Sequence, residues 1–110
     1  MNTSKGGEEM DNEIAEYVPL SEGAITKCLT FVKARLKMVY DAEDEALKQM
    51  IVNSHRDIGS KINNYDIEDE RIFELVCERA KYTYEDVLEY FEQSFHGNLW
   101  SLSREFGGIY

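Results

Sequence analysis

Apolar residues recur along this chain at intervals of three and four, the spacing that places side chains on one face of an α-helix. The first such run follows Ser21, a residue type that commonly caps helix N-termini. It predicts a helix with this apolar stripe: Ile25, Cys28, Leu29, Val32 and Leu36. A second run predicts a helix with this stripe: Leu47, Met50 or Ile51, Ser54, Ile58 and Ile62.

Four acidic residues precede the second run within "DAEDE", residues 41–45. Anions stabilise the exposed N–H groups of a first helical turn, so we expect Asp41 to cap the second helix, with Asp44 close behind. A calcium loop of the EF-hand type beginning at Asp41 would need glycine at its sixth position and glutamate at its twelfth. The chain has Ala46 and Val52 there. The cluster therefore predicts a helix start rather than a metal site.

The later half predicts two more helices after a turn at residues 63–66. The third is expected from Glu68 to Tyr82, with these residues facing inward: Ile72, Phe73, Val76, Cys77 and Ala80. Thr83 and Asp86 form a T-x-x-D capping pattern, so we expect a new helix to begin there. Its apolar stripe passes through Gly97 in unbroken register until Gly107 and Gly108 end it: Tyr84, Leu88, Phe91, Phe95, Leu99, Leu102 and Phe106.

These patterns predict an all-α, single-domain bundle of about four helices. Residues 1–16 are polar and acidic and are expected to form a flexible arm, residues 17–106 the helical domain, and residues 107–110 a short C-terminal tail. With 110 residues, 43% of them apolar, the chain can bury one core. It has no apolar run of the length a membrane span needs, so we expect no membrane partner.

The net charge of −10 is unevenly distributed. Residues 17–40 carry four cations and one anion, whereas residues 41–70 carry three cations and nine anions. We do not expect such an acidic chain to bind nucleic acid tightly, because phosphate binding depends on Lys and Arg. The basic first helix could pair with the acidic remainder of a second copy.

Signatures of enzymes and of metal sites are missing from the sequence. It contains no phosphate-binding loop, no G-x-S-x-G and no H-E-x-x-H motif, so we expect neither catalysis nor a cofactor. Cys28, His55, Cys77 and His96 are too far apart for the paired ligands of a small zinc domain. The cysteines fall on core stripes, and the histidines are expected at the surface or rim.

A second row of residues lies away from the core stripe of the predicted fourth helix. Small residues there would let another backbone approach closely, and Tyr and Trp are enriched at protein interfaces. We therefore predict an oligomer interface at Tyr90, Ser94, Gly97, Trp100 and Ser101. The alternative is that small polar residues occupy this surface by chance.

The chain ends in "FGGIY", which leaves three large apolar side chains after or beside a glycine pair. We predict that Phe106, Ile109 and Tyr110 form a tail that docks on a partner, since exposed apolar groups are unfavourable in water. The alternative is that the tail folds back over the core of its own chain.

Two stretches resemble the small head–tail connector (adaptor) proteins of tailed bacteriophages. "VKARLKMVYDAEDEALKQMIVNSHRDI", residues 32–58, is similar to their first two helices, in which a Leu-Lys or Leu-Arg step, an acid-rich start and a Leu/Ile pattern follow one another. Leu36 and Lys37 occupy the step, and Leu47 and Ile51 the pattern. "ERAKYTYEDVLEYFEQSFHGNLWSLSREF", residues 78–106, resembles the later half of the family.

The resemblance implies a structural virion protein. Such connectors form a ring, commonly of twelve copies, between the portal and the stopper or tail-completion protein at the head–tail neck, after assembly in the host cytoplasm. Double-stranded DNA passes through the lumen without sequence-specific binding. The alternative function is a small helical regulator that docks a partner helix.

Overall fold

The structure, a computed structural model, describes residues 13–110, and every regular element within that range is helical. The helices are α1 (Glu22–Leu36), α2 (Asp44–Ile62), α3 (Glu70–Tyr84), α4 (Phe91–Ser94) and α5 (His96–Phe106), with a short 3₁₀-helix, Leu88–Tyr90, directly before α4. The all-α fold is confirmed, with five α-helices in place of about four. None of these helices is long and apolar enough to cross a membrane.

Helix α2 forms the centre of the fold and packs against α1, α3 and α5. Its predicted stripe is confirmed, because Leu47, Ile51, Ile58 and Ile62 are fully buried. The other helices contribute these buried apolar residues to the same core: Cys28, Leu29, Val32, Ile72, Leu75, Val76, Cys77, Ala80, Phe91, Leu99 and Leu102. One continuous core therefore holds the described helices together.

Helix α1 begins where the sequence predicted. The side-chain oxygen of Ser21 accepts a hydrogen bond from the backbone N–H of Ala24 at 3.1 Å, as an N-cap should. The helix ends at Lys37, whose left-handed backbone (φ 57°) turns the chain and whose N–H donates to the carbonyl of Ala34.

The acid cluster connects α1 to α2, and the predicted capping role of Asp41 is wrong. Helix α2 begins at Asp44 after Glu43, which makes no side-chain cap. Instead, Lys33 Nζ donates to the carboxylates of Asp41 and Asp44, each at 2.7 Å. The hydrogen bond from Lys33 lowers the pKa of Asp41, and the one to Asp41 raises the pKa of Lys33. The cluster therefore fixes the junction of two helices.

Helix α3 begins at Glu70 and runs past the predicted break at Thr83, so that break is wrong. Asp69 caps the N-terminus, since its carboxylate accepts the backbone N–H of Arg71 at 2.9 Å. The Thr83 hydroxyl donates to the carbonyl of Arg79 at 2.8 Å, inside the helix, and so does not cap a new one. The chain turns instead at Asp86, which has a φ of 62°.

The predicted continuous fourth helix is also wrong, because it is divided into the 3₁₀-helix, α4 and α5. The break lies at Phe95, whose dihedrals (φ −115°, ψ 20°) are not helical. Tyr82 of α3 makes edge contacts with the rings of Phe91 (5.7 Å) and Phe95 (5.9 Å). This packing seats both rings on α3, and the backbone bends between them. The apolar spacing survives the bend, so periodicity alone did not reveal it.

Both end segments of the described chain meet at Asn63, which follows α2 in a left-handed conformation (φ 65°). Its side chain accepts from the N–H of Ala15 at 2.6 Å and donates to the carbonyls of Glu13 (3.0 Å) and Phe106 (3.1 Å). Residues 13–16, expected in the flexible arm, are therefore held against α2. The remainder of that predicted arm, residues 1–12, lies outside the described residues.

Candidate interaction surfaces

The residues predicted as an oligomer interface are all exposed, but they do not form one helical row. Tyr90 lies in the 3₁₀-helix and Ser94 ends α4, so the break at Phe95 separates both from α5. Helix α5 carries the remaining three, Gly97, Trp100 and Ser101. The single flank expected from the sequence is thus replaced by two surfaces that meet at Phe95.

Trp100 is the largest exposed side chain on α5, with 47% of its surface accessible. The guanidinium of Arg104, one helical turn later, lies 5.0 Å from the centre of its ring. Gly97 lies one turn earlier and has no neighbouring atom within 4 Å of the place where a Cβ would stand. The outer face of α5 therefore exposes the Trp100 ring with the Arg104 cation against it, and the surface around Gly97 is unobstructed. Sequence reasoning missed Arg104, although its i+4 spacing from Trp100 was a usable signal.

Ser101 faces another neighbour. It lines a cleft of about 340 Å³ between α3 and α5, together with Arg71 and Glu78. Consecutive helical residues point about 100° apart, which places Ser101 toward α3 and leaves Trp100 outside. The predicted interface thus contains residues of two different environments.

The C-terminal tail is attached to its own chain, as in the alternative in which it folds back over its own core. The N–H groups of Ile109 and Tyr110 donate to the carbonyl of Lys61 at 3.0 and 3.2 Å. The Tyr110 hydroxyl lies 3.0 Å from Nδ1 of His96. Phe106 and Tyr110 pack partly buried against the core, whereas Ile109 is 82% exposed. Of the three predicted docking residues, only Ile109 presents most of its surface to a partner.

A largely apolar groove lies between α1 and α3, and sequence reasoning missed it. It encloses about 700 Å³. Phe31 and Phe73 form its floor, with ring centres 5.2 Å apart in an edge-to-face arrangement. The remaining lining consists of Lys27, Thr30, Ala34, Ile67, Glu68, Glu70 and Glu74. Lys27 Nζ lies 5.1 Å from the centre of the Phe73 ring, and the Arg35 guanidinium lies 4.5 Å from that of Phe31. The groove thus combines two aromatic rings, each with a cation over it, with three carboxylates.

His55 is buried, so the expectation that it lies at the surface or rim is wrong. Only 1% of its surface is accessible, and the rings of Tyr17 and Tyr65 pack against it at 5.9 and 5.7 Å. Burial lowers the pKa of His55; the hydrogen bond to the Tyr65 carbonyl (2.8 Å) opposes this, and the charge of Arg56 adds to it. The neutral imidazole fits this site, with Nε2–H donating to that carbonyl.

The Tyr65 ring reaches this cluster because Gly59 leaves room for it. A Cβ at position 59 would stand 2.1 Å from Cδ1 of Tyr65. Tyr17 completes the cluster from the N-terminal segment, with its ring 5.2 Å from that of Tyr65 and the Arg56 guanidinium 4.6 Å from its own centre. Aromatic stacking and the Asn63 hydrogen bonds therefore hold residues 13–20 on α2.

The titratable side chains of residues 13–110 do not assemble into a metal centre, since no group of three or more His, Cys, Asp or Glu is placed to share an ion. Cys28 and Cys77 are free and buried, as predicted. The hydrogen bond with Cys28, together with burial, raises the pKa of the Cys77 thiol. The same hydrogen bond lowers the pKa of Cys28. Both side chains are buried in the apolar cluster, so the pair packs as part of the core.

Comparisons of this chain with protein-family models, with curated proteins and with solved structures gave no match.

Proposed function

We propose that this protein is a ring-forming structural connector of a tailed-phage virion. It joins the portal to the stopper or tail-completion protein at the head–tail neck, assembles in the host cytoplasm and lets double-stranded DNA pass through the ring. The observation that carries the proposal is the resemblance of residues 32–58 to the first two helices of connector proteins. In the structure this stretch covers the C-terminal end of α1, the acid-rich junction and most of α2.

The charge and surface of the chain support a structural role. A net charge of −10 gives passing DNA few cations to bind, so a lumen built from such subunits would not retain it. Val39, Trp100 and Ile109 expose apolar side chains at different places on the described chain, where contacts with neighbouring subunits would bury them.

The test is assembly. The purified chain is mixed with the portal ring encoded in the same genome, and the masses of the complexes are measured by native mass spectrometry, with electron microscopy of the same sample. We expect a ring of this chain on the portal. A chain that neither binds the portal nor assembles on it would contradict the proposal.

The groove between α1 and α3 favours a second candidate, a small helical regulator that docks one partner helix. An apolar floor with a charged rim is the kind of surface on which an amphipathic helix lies. This candidate predicts a one-to-one complex with a helical partner and no ring, and the same mass measurement distinguishes it from the connector.

A further inference from the structure

We infer that the groove between α1 and α3 receives Trp100 and Arg104 from α5 of a second copy of this chain. The inference rests on the proposed connector function, which requires contacts between copies, and it names the two surfaces that meet. They lie on different helices and share no residue: one on α5, the other on α1, α3 and the residues before α3.

The shapes of the two surfaces fit. The groove has a volume of about 700 Å³ and is lined by Phe31, Phe73 and Ala34. The long side chains of Lys27 and Arg35 lie over its two rings, so an entering indole would stack against these cations. Trp100 projects from an outer helix face with nearly half of its surface accessible. A large aromatic side chain that enters an apolar pocket is the usual centre of a protein interface.

The charges of the two surfaces fit as well. Three carboxylates line the groove, those of Glu68, Glu70 and Glu74. Two cations lie over its rings, Lys27 and Arg35, so the groove keeps an excess of negative charge. Arg35 pairs with Glu74 at 3.4 Å and partly offsets it. Arg104 lies against the Trp100 ring, so its guanidinium would come close to the glutamates of the groove when the indole of Trp100 enters it. Among the exposed aromatic residues, Trp100 is the one that carries such a cation.

Charge also argues against the other occupants that the chain itself could supply. Residues 1–12 carry one lysine against Glu8, Glu9 and Asp11, so they would meet like charges in the groove. The C-terminal tail is held elsewhere, because its N–H groups already donate to the carbonyl of Lys61. A contact between two different surfaces of identical chains is heterologous, and it closes into a ring or continues as a filament.

The experiment disables one surface at a time. Trp100→Ala removes the inserted side chain, while Ala34→Arg fills the groove and repels Arg104. Thr26→Arg is the matched control for the second change, since Thr26 is an exposed residue of α1 that does not line the groove. Self-association is measured by sedimentation of each variant and by native mass spectrometry on the portal. We expect each disabling variant to associate roughly tenfold more weakly or worse, and Thr26→Arg to behave as the wild type.

Mixing the two disabled variants gives the sharper result. Each retains one working surface, so an equal mixture should form dimers that grow no further, whereas each variant alone stays monomeric. A charge exchange provides a second arm: Arg104→Glu should weaken assembly, and Glu70→Arg in the same chain should restore it. Rings that form equally well from Trp100→Ala and Ala34→Arg would overturn this inference and leave the connector function standing. A wild-type chain that stays monomeric alone and on the portal would overturn both.

Discussion

Gly108 lies so close to Lys61 that a Cβ on it would stand 2.3 Å from the carbonyl oxygen of that residue. The same oxygen accepts the N–H groups of Ile109 and Tyr110, so the last residues of the chain are fixed to the end of α2 by backbone contacts. Glycine is needed at position 108 for this close approach, whereas Gly107, with a φ of 75°, ends α5.

Gly108→Ala should therefore detach the tail and lower stability, because the added methyl group collides with backbone that has no room to move. Hydrogen exchange of the Ile109 and Tyr110 amides should become fast, and the melting temperature should fall. Gly97→Ala is the matched control: its Cβ would meet nothing within 4 Å, and alanine in a helix should raise stability by about 0.5–1 kcal/mol. Slow exchange retained in Gly108→Ala would contradict the contact.

His55 should make the fold sensitive to mild acid. Its pKa is lowered in the folded protein, so between that value and the ordinary value of 6.5 the unfolded chain binds more protons. The contribution of His55 to stability is complete above pH 6.5 and is lost as the pH falls toward the folded pKa. Urea unfolding across this range should show the decline, and His55→Asn should flatten it. If His55→Asn shows the same decline, another group causes it. His96 is exposed, so His96→Asn serves as the control and should leave the decline unchanged.

The junction between α1 and α2 should depend on Lys33. Lys33→Met removes the donor shared by Asp41 and Asp44 and should lower the melting temperature at neutral pH. The pKa of Asp41 is lowered in the folded protein, so the stability it contributes is present above its ordinary value of 3.8 and is lost as the pH falls through the folded pKa. The variant should lack this step. Lys48→Met, which removes an exposed pair with Glu45, should change stability by less than about 1 kcal/mol. Equal effects of both changes would contradict the special role of Lys33.

The two phenylalanines around the break should differ in their contribution to stability. Only 1% of the Phe91 surface is accessible, so Phe91→Ala should lower the free energy of unfolding by about 3–5 kcal/mol. Phe95 is only partly buried, and Phe95→Ala should cost less, about 1–3 kcal/mol. Chemical denaturation of both variants measures the difference. If Phe95→Ala lowers stability more than Phe91→Ala does, the bend at Phe95 contributes more to stability than the burial of Phe91.

The sequence predicted what depends on local periodicity. The stripe of α2, the cap at Ser21 and the stop at Gly107 are each encoded by a few neighbouring residues, and each is confirmed. It did not predict what depends on contacts between distant residues. Thr83 had the form of a cap, but its hydroxyl bonds inside α3. The bend at Phe95 lies where the Phe95 ring packs against Tyr82, a residue of a different helix.

The candidate surfaces were harder to predict for the same reason. Trp100 was identified because its exposure follows from its position on a helix. The groove combines Phe31 of α1 with Phe73 of α3, and nothing in the spacing of either helix indicates that these rings meet. The burial of His55 likewise depends on Tyr17, which approaches from a segment without helical pattern.

Asn63 has a consequence for protein engineering. The Asn63 side chain is hydrogen-bonded to residues 13 and 15 and to the end of α5. The first and the last described residues therefore lie at the same end of the fold, near Asn63; we call this end the Asn63 pole. A short linker could join them, and new ends could be opened in the seven residues between α1 and α2, provided that Lys33 keeps its partners. Such a circular permutant would move any fused label from the Asn63 pole to the opposite end of α2.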